Sequence, residues 1–104
     1  MPSAADLLPD ILSIQTTKTA DTAATTIVNA AYLARNAARA VVDASIAAGG
    51  VSEITMTAQL QTLLDASTDA AAKEVTANEA TAAYQQAKNT FEQDLYTMSL
   101  PAEP

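Results

Sequence analysis

Cysteine, histidine and tryptophan are all missing from this 104-residue sequence. Without cysteine the chain has no disulfide framework and no thiol nucleophile, and without histidine it lacks an imidazole base. Zinc fingers and histidine-anchored metal sites are excluded for the same reason. Any catalytic or metal-binding chemistry would therefore depend on carboxylates, lysines and hydroxyls alone.

Glycine and proline are nearly as scarce, and their positions divide the chain into two arms. The two glycines form a single pair, Gly49-Gly50, and glycine relieves the left-handed backbone that often follows a helix. All four prolines lie within the first nine or the last four residues. The pattern predicts one domain, with a first helix over about 10–48, a turn over 49–51, a second helix over about 52–98 and a tail over 99–104.

Large apolar residues are fewer than the composition first suggests. Hydrophobic residues make up 49% of the chain, but 25 of them are alanine, while Leu, Ile, Val and Phe together number 20. The share of these 20 residues is close to the level at which a chain has too little apolar surface to fold alone. The charged fraction of 16%, however, is low for a disordered protein. No apolar run is long enough to cross a bilayer, and no secretory signal is apparent. From these two absences we expect a cytoplasmic protein or part of an assembled particle.

Basic residues are also few, with five against twelve acidic residues, which gives a formal net charge of −7. This balance repels phosphate backbones, so nucleic-acid binding is not expected. Most of the excess lies in residues 52–104, which carry eight acids and two bases. Two interpretations stay open: a solvated acidic face that keeps an alanine-rich surface soluble, or a docking face for a basic partner.

A seven-residue apolar repeat runs along the second arm. Its members are Met56, Leu63, Ala70, Ala77, Tyr84, Phe91 and Met98. Such a repeat places one apolar row along a helix, and its length favours coiled-coil-like packing against another helix. Five further apolar residues are three or four positions away from members of this row: Leu60, Ala66, Ala80, Ala87 and Leu95.

The first arm repeats the pattern with smaller residues. One row consists of Ala20, Ile27, Ala34, Val41 and Ala48, flanked by Ala24, Ala31, Ala38 and Ser45. Because alanine lets two helix backbones approach closely, we predict that this row packs against the second arm. The expected fold is all-α: a long, alanine-rich, coiled-coil-like antiparallel two-helix hairpin, with room for a short extra helix at the N-terminus. Because threonine is a mediocre helix former, its clusters make residues 15–26 the weakest helical segment, where a kink or local loop could form.

Counting outward from the turn predicts which residues face each other. Val41 is expected opposite residues 58–60, and Ala20 opposite Ala80. The same count brings the large side chains around Leu8 and Leu12 against those around Phe91 and Tyr96. The bulky residues are thus expected to pack together at the open end of the hairpin.

The sequence carries no recognisable catalytic or cofactor-binding motif. It has no Ser-x-x-Lys pair, no calcium loop, no glycine-rich phosphate loop and no Glu-x-x-His metal motif. Paired carboxylates such as Asp65 and Asp69 exist, but a two-helix hairpin offers no cleft that would separate their roles. We therefore expect no enzymatic activity, no cofactor, no metal and no small-molecule substrate.

Apolar residues spread round the first arm more widely than one partner helix can cover, and this indicates contact with another chain. The candidate interface residues are Tyr32, Arg35, Arg39, Val28, Val42 and Ile46. Arg35 and Arg39 lie four residues apart with Asp43 following, so they could form an intrahelical ion pair or meet the acidic second arm of a neighbouring copy.

In length and turn position the chain resembles the small helical-hairpin secretion substrates of the WXG100 family. Its turn reads Ala-Gly-Gly-Val-Ser and it has no tryptophan, so no residue roles carry over. We expect a structural protein whose hairpins pack with copies of themselves or with a scaffold, as in a virion component, a filament or a secretion-apparatus subunit. The alternatives are a secreted or adaptor binding module, and a chain that stays disordered until it meets its scaffold.

Overall fold

The computed structural model describes residues 3–100. A short 3₁₀ helix over Ala4–Leu7 leads directly into α1, which spans Leu8–Ala48, and α2 spans Glu53–Ser99. No strand occurs within the described residues. The fold is the all-α two-helix hairpin that the sequence predicts.

The start of α1 is set by residues that tolerate the first turn of a helix. Pro9 lies there at no cost, because the amide it lacks would have had no partner within the helix. Before it, the backbone N–H of Ser3 donates a hydrogen bond of 2.8 Å to Oδ2 of Asp6. The short N-terminal helix is therefore confirmed, and α1 begins two residues earlier than predicted.

The turn between the helices depends on the glycine pair and on Ser52. Gly49 and Gly50 have φ angles of 69° and 68°, in the left-handed region that favours glycine. The N–H of Gly49 donates to the carbonyl of Ser45 at 3.2 Å, and Oγ of Ser52 accepts from the N–H of Thr55 at 3.2 Å. Because Ser52 caps α2 from outside, the turn extends one residue beyond the predicted 49–51.

The threonine-rich segment over 15–26 is continuous helix, so the prediction of a local loop there is wrong. The hydroxyl of Thr17 donates to the carbonyl of Ser13 at 2.8 Å, and that of Thr19 to the carbonyl of Gln15 at 3.0 Å. These bonds run along the helix and satisfy the hydroxyls without displacing the backbone ladder.

The described chain forms two compact units. The terminal unit contains residues 3–23 and 78–100, and the turn unit contains residues 24–77. In each unit a segment of α1 packs against a segment of α2.

The core of the turn unit is made of small residues. Its buried members are Ala24, Val28, Ala31, Val42, Ala70 and Ala77. Beside them, Oγ of Ser45 donates a hydrogen bond of 2.7 Å to Oε1 of Gln59. This contact lies about one helical turn further along α2 than the predicted pairing.

The terminal unit is more open. Ala87 is buried, and Oγ1 of Thr81 donates a hydrogen bond of 2.6 Å to Oδ1 of Asp21, close to the predicted pairing of Ala20 with Ala80. The expected gathering of bulky residues is met only in part. Leu7, Ile11, Ile14 and Phe91 are half-buried, whereas exposed side chains include Leu8, Leu12, Leu95 and Tyr96.

The two helices differ in how well their contact rows were predicted. On α2 every member of the seven-residue row from Met56 to Met98 is buried or half-buried, as predicted. On α1 the predicted row of Ala20, Ile27, Ala34, Val41 and Ala48 is exposed. The contact row is instead the neighbouring one with Val28, Arg35 and Val42, while the predicted flanking row from Ala24 to Ser45 does face α2. Helix α1 is therefore rotated by about one residue relative to the prediction, roughly 100°.

Candidate interaction surface

The six predicted interface residues all lie in the turn unit, in three kinds of environment. Val28 and Val42 are buried between the helices, so they form the hairpin's own core and not its outer surface. Tyr32 and Arg35 are half-buried. Arg39 and Ile46 are exposed. The rotation of α1 explains the difference, because it turns the row with the two valines toward α2.

Tyr32 and Arg35 belong to one polar cluster. The Arg35 guanidinium lies 4.9 Å from the centre of the Tyr32 ring, in cation–π geometry. Burial, followed by a hydrogen bond to Glu74 and the charge of that carboxylate, raises the pKa of the Tyr32 phenol above its usual range, and the charge of Arg35 opposes the shift. The cluster joins α1 to α2, so Tyr32 takes part in a contact within the hairpin.

Arg39 makes the intrahelical ion pair that the sequence suggested. Its Nε lies 3.2 Å from Oδ1 of Asp43, and both side chains are largely exposed. An exposed pair of this kind contributes little to stability. Arg39 also lines a groove of about 420 Å³ with Arg35, Asn36, Leu63 and Ser67. Two cationic side chains and one leucine thus border the same groove.

A continuous apolar row on α1 is left uncovered by α2, and we call it the uncovered seam. Its residues are all exposed: Ile27, Ala30, Ala34, Ala37, Val41 and Ala44. None of them is charged. The heptad pattern placed Ile27, Ala34 and Val41 in the contact inside the hairpin, so their exposure was not predicted.

Helix α2 adds exposed apolar side chains of its own within the turn unit. They are Ile54, Leu60, Leu64 and Val75, and Ile54 is 85% exposed. Leu60 and Leu64 are neighbours on the helix, but the polar residues Thr57, Ser67 and Thr68 separate this pair from Ile54 and Val75, whereas the uncovered seam has no polar member. The uninterrupted apolar row of the turn unit therefore belongs to α1.

The terminal unit contains a pair of carboxyl groups beside a small cavity. A hydrogen bond to Asp94 is the main cause that raises the pKa of Asp10, with burial and the charge of Asp94 adding to it. Oδ2 of Asp10 is buried and has no hydrogen-bond partner within the described residues. The cavity, of about 240 Å³, is lined by Asp10, Ser13, Ala83, Gln86, Ala87 and Thr90. Because the pKa of Asp10 is raised, the protonation state of its carboxyl group makes this end of the hairpin sensitive to pH.

The two lysines of α2 make local contacts. Nζ of Lys73 lies 3.0 Å from Oδ1 of Asp69, and Nζ of Lys88 lies 4.4 Å from the centre of the Tyr84 ring. Within residues 3–100 no three acidic side chains come together in a way that could hold a metal ion. No helix in that part of the chain is both long and apolar enough to span a membrane.

Comparison of the chain with protein families, with curated proteins and with solved structures found no match.

Proposed function

We propose that the chain is a non-enzymatic structural protein whose hairpins assemble with copies of themselves. The observation that carries this proposal is the placement of the large apolar side chains. The buried core of the described chain consists of five alanines and two valines, whereas thirteen large hydrophobic residues are exposed. A protein that folds and functions as a monomer normally buries most of its large apolar residues.

The amount of exposed surface supports the same proposal. The accessible surface is 7422 Å², whereas a monomeric protein of 10.7 kDa exposes about 5500 Å². The excess of about 1900 Å² is roughly twice the area that one partner buries in a standard protein–protein interface, about 800 Å². Contacts of that size on two sides of the hairpin would bring the exposed area of each chain to that of an ordinary folded protein.

The distribution of charge favours α1 as the side that meets another copy. Eight of the twelve acids lie in residues 52–104, which contain α2. Two copies that met through α2 would bring like charges together, and this costs free energy. The uncovered seam on α1 has no charge to desolvate, so it can be buried against another copy without that cost.

A second candidate function is that of an adaptor for another protein. The groove lined by Arg35, Arg39 and Leu63 favours it, because paired guanidinium groups beside an apolar residue suit an acidic peptide. Fluorescence anisotropy with a labelled Glu- and Leu-containing peptide tests this function. Binding that is lost in Arg39→Glu and kept in Ala34→Glu supports it, and equal binding by both variants contradicts it.

Light scattering coupled to size-exclusion chromatography tests the proposed self-assembly. We expect the measured mass to rise above 10.7 kDa as the loaded concentration increases from micromolar to several hundred micromolar. A constant monomer mass over the whole range would exclude self-assembly. A mass that stops at the dimer would exclude a filament or a shell and leave a discrete assembly unit.

A further inference from the structure

The uncovered seam has the spacing of a helix-packing surface. Its residues from Ile27 to Ala44 follow one another at intervals of three or four. That spacing keeps them on one stripe of a helix, like the contact positions of a coiled coil. Since α2 occupies the neighbouring stripe with Val28 and Val42, α1 has two packing surfaces and the hairpin uses only one of them.

From Ile27 to Val41 the seam is nearly symmetric about Ala34. Ile27 lies seven residues before Ala34 and Val41 lies seven residues after it, and the seam positions between them are alanine. Reversing the direction of the helix therefore places a β-branched residue on a β-branched residue and alanine on alanine. A two-fold interface requires this self-complementarity, because the same surface serves both copies.

We propose that two copies of the chain pair through the uncovered seam in antiparallel orientation, about a two-fold axis at Ala34. The inference rests on the proposed self-assembly and specifies its first contact. In this pairing Ile27 of one copy packs against Val41 of the partner subunit. On the other side of the axis, Val41 of the first copy packs against the partner subunit's Ile27.

The residues next to the axis fit this arrangement. Alanine at the centre allows the two helices to approach near the lower end of the usual 8–10 Å range. Leu33, which is 70% exposed, neighbours Ala34 in the sequence, so the axis brings the Leu33 side chains of both copies together at the edge of the seam. The pairing thus covers three large exposed side chains of each copy, those of Ile27, Leu33 and Val41.

A second copy fits the seam better than a lipid surface does. Helices that lie on membranes carry lysine or arginine on the polar face and many large apolar side chains on the other. The seam is mostly alanine, and Arg39, the exposed cation of α1 in the turn unit, is paired with Asp43. Flat, uncharged alanine surfaces match one another because they lose no charge solvation and allow close approach of the backbones.

Cysteine cross-linking tests the pairing, since the natural chain contains no cysteine. Three variants each carry one cysteine on the seam: Ala34→Cys, Ile27→Cys and Val41→Cys. Under mild oxidation we expect Ala34→Cys to form a disulfide-linked dimer by itself, because the axis brings the two copies of this residue together. Ile27→Cys and Val41→Cys should each stay unlinked when oxidised alone. When the two variants are mixed, they should form a disulfide-linked dimer with each other. Ala72→Cys, at an exposed alanine of α2, is the matched control and should not link.

The outcomes separate this inference from the proposed function. Self-linking of all three seam variants would show parallel pairing and overturn the orientation. Absence of links in a protein that light scattering shows to be oligomeric would overturn the seam as the contact while leaving self-assembly intact. A protein that stays monomeric and unlinked would overturn both.

Discussion

Val28 and Ile27 are adjacent in the sequence and lie in opposite environments. Val28 is 7% exposed in the contact with α2, whereas Ile27 is 50% exposed on the uncovered seam. The pair therefore marks the boundary between the surface that folds the hairpin and the surface that we assign to a second copy.

Truncation of these two residues should separate folding from association. Val28→Ala should lower the free energy of unfolding by about 1–2 kcal/mol, because it removes buried methyl groups from a small core. Ile27→Ala should change the stability of the monomer by no more than about 0.5 kcal/mol, as is usual for exposed positions. Urea denaturation at low protein concentration measures both effects. Equal losses in the two variants would contradict the rotation of α1 that the structure shows.

Acidification should stabilise the terminal unit. The pKa of Asp10 is raised by its hydrogen bond to Asp94, by burial and by the charge of Asp94, so the folded chain holds this proton more tightly than the unfolded chain. The repulsion within the pair is therefore present above the raised pKa. It is relieved as the pH falls through that value toward the ordinary value of 3.8. Thermal denaturation between pH 7 and pH 4 should show a rising midpoint.

The variant Asp10→Asn isolates this contribution. It should raise the melting temperature at pH 7 and weaken the rise on acidification, because the amide donates to Asp94 without titrating. Glu92→Gln is the matched control, since it makes the same change in net charge at an exposed site of α2. If Asp10→Asn melted at a lower temperature than the natural chain at pH 7, the repulsive pair would be disproved.

Substitution of Gly49 should destabilise the hairpin through its backbone alone. A Cβ atom at this position meets nothing within 4 Å, so alanine creates no clash. The cost is that of the left-handed conformation, about 1 kcal/mol for alanine and less for asparagine. Urea denaturation should therefore rank stability as glycine, then asparagine, then alanine. Alanine at the level of glycine would mean that the turn does not need a positive φ angle.

Most of the fold could be predicted because few residues interrupt the helices. The glycine pair fixes the turn, and the row from Met56 to Met98 fixes the inner side of α2. The rotation of α1 could not be predicted in the same way. Two adjacent rows, one with Ile27 and Val41 and the other with Val28 and Val42, have the same period and similar apolar content.

The contacts that join the two helices distinguish those rows. These contacts are known only from the three-dimensional structure. The chosen rotation pairs Ser45 with Gln59 in the turn unit and Asp21 with Thr81 in the terminal unit. It also turns Tyr32 toward Glu74. For this reason the sequence indicated that α1 has more apolar surface than one helix covers, but assigned the two rows in reverse.

Sedimentation velocity of Ala34→Glu beside the natural chain tests whether two copies associate through the uncovered seam. The substitution adds a charge at the proposed two-fold axis, at a position that is exposed in the single hairpin and so tolerates glutamate. Ala72→Glu, which adds the same charge on α2, is the control. If the seam pairs two copies, the natural chain and Ala72→Glu should sediment as associated species, while Ala34→Glu should sediment at the monomer mass of about 10.7 kDa. Association of Ala34→Glu to the same extent as the natural chain would contradict this pairing.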